Sequence, residues 1–123
     1  RWRNPESGWR RSISVANLVI LESAQRELEE IAQLHKNLVG PHSARNITDL
    51  ILDTLSHVEI FPLSGHIPRD KELRNGGYRY VIAGKYICMY RLIGEEVYVY
   101  HIAHGARNYP TLFKRLLKED CLD

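Results

Sequence analysis

"ELRNGGYRYVIAGKYICMYRLIGEEVYVYHIAHGARNY", residues 72–109, decides the fold. It contains three runs rich in β-branched and aromatic side chains, at 78–82, 86–92 and 97–103, split by Ala83-Gly84 and Gly94-Glu95. Short runs of this kind joined by tight turns predict an antiparallel meander. Asn75-Gly76-Gly77 signals a turn before the first run. These glycines and Gly84 read as turns rather than a phosphate loop, since no Lys-Ser/Thr follows and no helix opens there.

Upstream, the hydrophobic period changes. Ala24, Leu28, Ile31, Ala32, His35 and Leu38 recur at steps of three and four, which predicts a helix from about Ser23, with Ser23 as its N-cap. Gly40-Pro41 breaks it. Ser43 is placed to cap a second helix, whose apolar face is Ala44, Ile47, Leu50, Ile51, Thr54, Leu55 and Val58. Two amphipathic helices around a short breaker make an antiparallel hairpin. Residues 17–21 read as a leading strand, and Phe61-Pro62 with Gly65 to Pro68 as a loop. Pro110 suits the first turn of a last helix with Leu112, Phe113, Leu116 and Leu117 on its apolar side. The predicted class is α+β: an N-terminal strand, a two-helix hairpin, a small antiparallel sheet with the helices on one face, and a short C-terminal helix. Residues 1–15 fit no element and read as an extension, disordered or an artefact of the start site, whose tryptophans leave docking on the body or on a partner open; residues 16–120 form the domain.

A chain of 123 residues suits one domain. Leu18-Val19-Ile20-Leu21 is far too short for a membrane span, and no apolar signal segment follows the basic start. Cys88 and Cys121 make no disulfide framework, so a reducing cytosol and a cytoplasmic protein are expected. The net charge of +2 hides an acidic stretch at 22–30 and a basic, tyrosine-rich one at 69–107. Basic residues between aromatics can hold a phosphate backbone, but a pattern this mild is that of a solvated sheet. Tyr78, Tyr86, Tyr90, Tyr98 and Tyr100 are accordingly read as sheet packing.

The same segment resembles the sheet of the RelE/ParE superfamily, the toxins of bacterial type II toxin–antitoxin pairs. Arg79, Gly84, Tyr86, Tyr90 and Arg91 fall on its R-x-x-x-x-G-x-Y-x-x-x-Y-R pattern, and His104, Gly105 and Arg107 on H-G-x-R. The resemblance spans roughly residues 16–117. It implies a cognate antitoxin as partner, hetero-oligomeric complexes with it, growth arrest, plasmid stabilization, and no metal or cofactor. RelE-like members cleave mRNA on the ribosome, whereas ParE-like members poison DNA gyrase without being nucleases. The long hairpin, "GKYICMYRLIGEEV" and "HGAR" are ParE-like; Asn108, where an acid is common, and the N-terminal extension depart from the pattern.

Cleavage through a ribose 2′-hydroxyl needs a base, an acid and cations on the scissile phosphate. Arg79, Arg107, His104 and Tyr109 would supply that set in a nuclease. The RelE-like cleavers, however, carry an arginine directly after the tyrosine matching Tyr86, and here that residue is Ile87. Arg91 or Lys85 would then have to fill the vacant role. The expected target-binding residues are Arg79, Arg91 and Arg107, with Arg107 presented after a glycine turn. His101 and His104 lack a neighbouring Cys or carboxylate cluster, so they read as structural, His101 at the core edge and His104 fixing the turn. The resulting expectation is a ParE-like toxin. The alternatives are a ribosome-dependent endoribonuclease and a degenerate toxin fold that only binds.

Overall fold

The computed structural model describes residues 17–105 and 109–121. The chain runs β1 (Asn17–Ile20), α1 (Glu22–Leu38), α2 (Pro41–Ile60), α3 (Lys71–Asn75), β2 (Tyr78–Ala83), β3 (Tyr86–Ile93), β4 (Glu96–His104) and α4 (Tyr109–Cys121). The meander is as expected: β2 pairs with β3 and β3 with β4, all antiparallel. β1 joins this sheet beside β4 and runs parallel to it, Leu18 opposite Val97, so the four-stranded sheet is mixed, in the order β1-β4-β3-β2. The helical hairpin supplies the long connection that separates β1 from the meander.

Alternation along the strands sorts side chains onto two faces. Leu18, Ile20, Val81, Cys88, Tyr90, Val97 and Val99 pack with Ala24, Ile31, Ile51, Leu55 and Val58 of the hairpin. Ile87 and Met89 lie in a second cluster with Leu73, Phe113, Leu116 and Leu117. Helices therefore cover both faces, a correction to the one-sided packing expected. β3 carries the signature of this arrangement: Tyr86 to Tyr90 are buried without alternation, as in a strand covered on both sides. A bulge between Met89 and Tyr90 changes the alternation of β4: Val97 and Val99 meet the hairpin before it, Ile102 after it.

Both expected serine caps are corrected. α1 begins at Glu22, and the Ser23 hydroxyl donates to Tyr100 O at 3.0 Å, tying helix to sheet. α2 begins at Pro41 with Gly40 as its N-cap, so Ser43 lies inside the first turn, where its Oγ meets His35 Nδ1 at 3.2 Å. Proline at the first helical position needs no amide partner, which lets the helix start three residues early. The buried stripe of α2 is Ile51, Leu52, Leu55, Val58 and Glu59; Leu50 is exposed. Leu38 is exposed as well, at the last position of α1. α3, which precedes the expected Asn75-Gly76-Gly77 turn, forms because Asp70 accepts Leu73 N–H at 3.1 Å as an N-cap. No helix among the described residues is long and apolar enough to cross a membrane.

Candidate functional site

The segment between α2 and α3 is held to the sheet from below. Tyr90, fully buried on β3, donates its hydroxyl to Pro62 O at 2.7 Å and accepts Gly65 N–H at 2.9 Å. Gly65 has no room for a side chain, because a Cβ there would run into the Tyr90 ring. Arg79, beside Tyr90 on β2, donates through Nη1 to Leu63 O at 3.2 Å and Gly65 O at 3.1 Å. His66 then pairs by backbone hydrogen bonds with Tyr80 and covers part of the free edge of β2. Burial pushes the Tyr90 hydroxyl above its ordinary pKa, so it stays protonated and able to donate.

Arg91 lies on the opposite side of the sheet, in register with Tyr78. Its guanidinium sits 4.9 Å from the Tyr78 ring centre and 5.2 Å from that of Tyr100. It donates to the Tyr100 hydroxyl at 2.7 Å through Nη2, and to Gly76 O at 3.3 Å through Nη1. Cation–π contact and hydrogen bonds together bind this arginine to its own fold. Arg79 and Arg91 are therefore not one patch, and each donates to oxygens of the chain.

The residues expected for RNA cleavage are spread out as well. Arg79 is in register with Tyr90 and, through it, with Val99. His104 lies five residues further along β4, roughly 17 Å at 3.4 Å per residue. His104 is exposed, and its ring meets that of Tyr86 edge-on at 5.5 Å rather than fixing the turn by a hydrogen bond. The turn is closed instead by Gly105 N–H, which donates to Lys85 O, and a Cβ on Gly105 would lie 2.8 Å from that oxygen. Tyr109 opens α4 on the other face, its ring 5.0 Å from Tyr80 and 6.0 Å from Phe113. Burial, then its hydrogen bond with Tyr80, raises the Tyr109 pKa, which keeps the phenol protonated and withholds it as a base near neutral pH. Arg107 lies outside the described residues.

Ile87 is 7% exposed and packs with Met89, Leu73 and Phe113 beneath α4. Cys88 is a buried free thiol whose pKa burial pushes up to about 12, so it is unreactive. His101 is buried, and its Nδ1 lies 2.9 Å from Glu27 Oε2, while Glu27 Oε1 accepts Ile102 N–H at 2.8 Å. The histidine is thus engaged by α1. Glu59, buried where Glu27 is only partly so, accepts Leu18 N–H at 3.2 Å and so anchors β1 to α2. Reading by residue type missed both acids. The signal was present: Glu27 is three residues past Ala24 and Glu59 four past Leu55, each on an apolar stripe where a charge needs a partner. Likewise His35 Nε2 meets the Tyr86 hydroxyl at 3.0 Å, a link invisible in either stripe.

A helical hairpin on one face of a mixed sheet, with a terminal helix on the other, has counterparts among solved structures. The chain resembles a chromosomal ParDE toxin–antitoxin system from P. aeruginosa (TM-score 0.64, 16% identity, covering 76% of this chain and 100% of that one). It also resembles the toxin–antitoxin complex RelBE2 from Mycobacterium tuberculosis (TM-score 0.56, 17% identity, 73% and 98%). At these identities the likeness is one of fold. Comparison with curated protein sequences gave no significant match. The family model of the ParE toxin of the type II toxin–antitoxin system parDE matches residues 18–109, from β1 to the start of α4. The chain belongs to this ParE toxin family of the RelE/ParE superfamily.

Proposed function

We propose that this chain acts in the cytoplasm as a ParE-like toxin: it arrests growth by binding a target such as DNA gyrase, and a cognate antitoxin neutralises it. The observation that carries the choice of target is the burial of Ile87. An arginine that neutralises a scissile phosphate must reach solvent, whereas the side chain at this position is core beneath α4. The scatter of Arg79, His104 and Tyr109 supports the same reading, since acid–base catalysis needs its groups within hydrogen-bond reach of one phosphate. Of the three arginines expected to contact the target, Arg107 is the one for which we propose a direct contact; Arg79 contributes by holding the α2–α3 loop and Arg91 by holding the sheet.

The antitoxin proposal draws on the two similar structures, both of which are toxin–antitoxin systems. The hairpin of this chain exposes Leu34, Leu38 and Val39, a surface suited to a mostly apolar, partly acidic segment laid along it. Two assays on the purified chain test the function. Loss of plasmid supercoiling by gyrase, with no cuts by primer extension on a translated message, is expected. Codon-positioned cuts alongside normal supercoiling overturn it in favour of the endoribonuclease. Co-expression with the neighbouring reading frame is expected to yield a stable complex.

A further inference from the structure

We infer that the segment preceding β1 docks its tryptophans on an apolar depression at the C-terminal end of α2. The depression has a volume of about 610 Å³ and is lined by His57, Ile60, Phe61, Pro62, Leu63 and Ser64. Ile60, Phe61 and Leu63 are 42%, 55% and 64% exposed, three large apolar side chains displayed together. Such clustering marks a docking surface more than scattered single residues do. The backbone that displays them is fixed: Pro62 O takes the Tyr90 hydroxyl and Leu63 O takes Arg79. The site is therefore formed before anything binds, and an occupant does not have to order it.

Three observations select the occupant. The first is proximity. β1 enters the sheet at Asn17, whose N–H donates to Glu95 O, and the next amide, of Leu18, bonds the carboxylate of Glu59, the residue before Ile60. Trp9 lies eight residues before Asn17, a reach of roughly 28 Å when extended. The second is content. Both tryptophans of the chain, Trp2 and Trp9, are in this segment, and indole is among the strongest anchors for a preformed apolar pocket. The third is charge. Arg1, Arg3, Arg10 and Arg11 outweigh Glu6, while α2 leads into the depression with Asp49 and Asp53, both exposed and four residues apart, one turn before His57. Basic side chains beside the indoles thus meet an acidic stripe beside the pocket. The inference is independent of the toxin's target.

Because the rest of the chain has no tryptophan, indole fluorescence reports this segment alone. The intact chain is expected to emit to the blue of N-acetyltryptophanamide and to be quenched by acrylamide several-fold less steeply. Phe61→Ser and Leu63→Glu, at positions more than half exposed, are expected to restore free-indole emission and quenching while the circular dichroism spectrum and Tm stay unchanged. Trp9→Phe leaves Trp2 to show which ring occupies the site. Free-indole behaviour in the unsubstituted chain overturns the inference, as does protection that survives both substitutions. Protection lost on dilution overturns it too, because the occupant would then be the segment of a second copy.

Discussion

Tyr90→Phe is the most direct test of how the α2–α3 loop is held. The ring is retained, so no cavity larger than one hydroxyl opens. What is lost is a pair of hydrogen bonds, to Pro62 O at 2.7 Å and from Gly65 N at 2.9 Å. Pro62 is half-buried and can recruit water. Gly65 is buried, with its carbonyl on Arg79 but its amide on Tyr90, so the substitution strands a buried N–H. A net hydrogen bond is worth about 0.5–1.5 kcal/mol and a stranded buried donor costs about 1–3 kcal/mol, which together predict a loss of about 2–4 kcal/mol. In urea, with an m-value of about 1–3 kcal/mol/M, the midpoint falls by roughly 1–2 M at unchanged m. Native-state hydrogen exchange at Gly65 should accelerate by a larger factor than at core amides of β3.

Arg79 and Tyr90 hold the same stretch of backbone, so their effects should not add. A cycle of Arg79→Ala and Tyr90→Phe is expected to show a coupling of about 0.5–3 kcal/mol. The pH dependence has a fixed sign. The Tyr90 pKa in the folded state is raised above the ordinary 10.0, so its contribution is fully present below that value. It fades as pH rises through the raised pKa, and the gap between native chain and Phe variant should close in alkali. A loss under about 0.5 kcal/mol, or strictly additive substitutions, refutes the clamp.

Three further outcomes are expected. Ile87→Arg should cost about 3–5 kcal/mol in a thermal or urea melt, by forcing an unpaired charge beneath α4, and should not confer RNA cleavage in the primer-extension assay. Arg107→Ala should abolish growth arrest at an unchanged Tm, whereas His101→Gln should lower Tm by disturbing the Glu27 contact; arrest lost only in the histidine variant would mean that the site is misplaced. The Lys114 ammonium, 2.9 Å from Asp70, holds the carboxyl below its ordinary 3.8, so the contact is intact above pH 3.8 and is lost as pH falls through the lowered value. Lys114→Met should return the Asp70 titration, followed by NMR, toward 3.8.

The fold was legible where one residue type meets one period. Strands at Tyr78, Tyr86 and Glu96 followed from β-branched and aromatic runs between glycine turns, and the hairpin from its 3.6-residue stripe around Gly40-Pro41. What local pattern could not give was partnership over long separations. Nothing near Asn17 states that it will lie parallel to β4, some eighty residues away. The unbroken apolar run of Tyr86 to Tyr90 carries the signal of a cover on both faces, which the expectation of one-sided packing passed over, and α4 was placed only by its own short apolar side. Cap positions failed for a related reason. Ser23 and Ser43 are good caps in isolation, but each hydroxyl has a partner in another element, Tyr100 O and His35, and tertiary contact decided.

The site divides along the same line, and the division bears on function. A motif names residues in order, so Arg79, Arg107, His104 and Tyr109 read as one catalytic set, and Arg79, Arg91 and Arg107 as one contact set. A pleated sheet assigns them by parity and register: Arg79 goes with Tyr90, Arg91 with Tyr78, and His104 with Tyr86 at the far end. The pattern of arginines and tyrosines thus describes a scaffold, in which Arg79 and Arg91 donate to carbonyls or a phenol of their own chain. A binding toxin tolerates that, since its affinity draws on a shaped surface spread over many residues. A nuclease does not, because one phosphate must meet acid, base and cation at once. Moving any one of these arginines by a single residue would flip it to the other face of the sheet, which makes the parity of β2 and β3 the feature that separates the two readings.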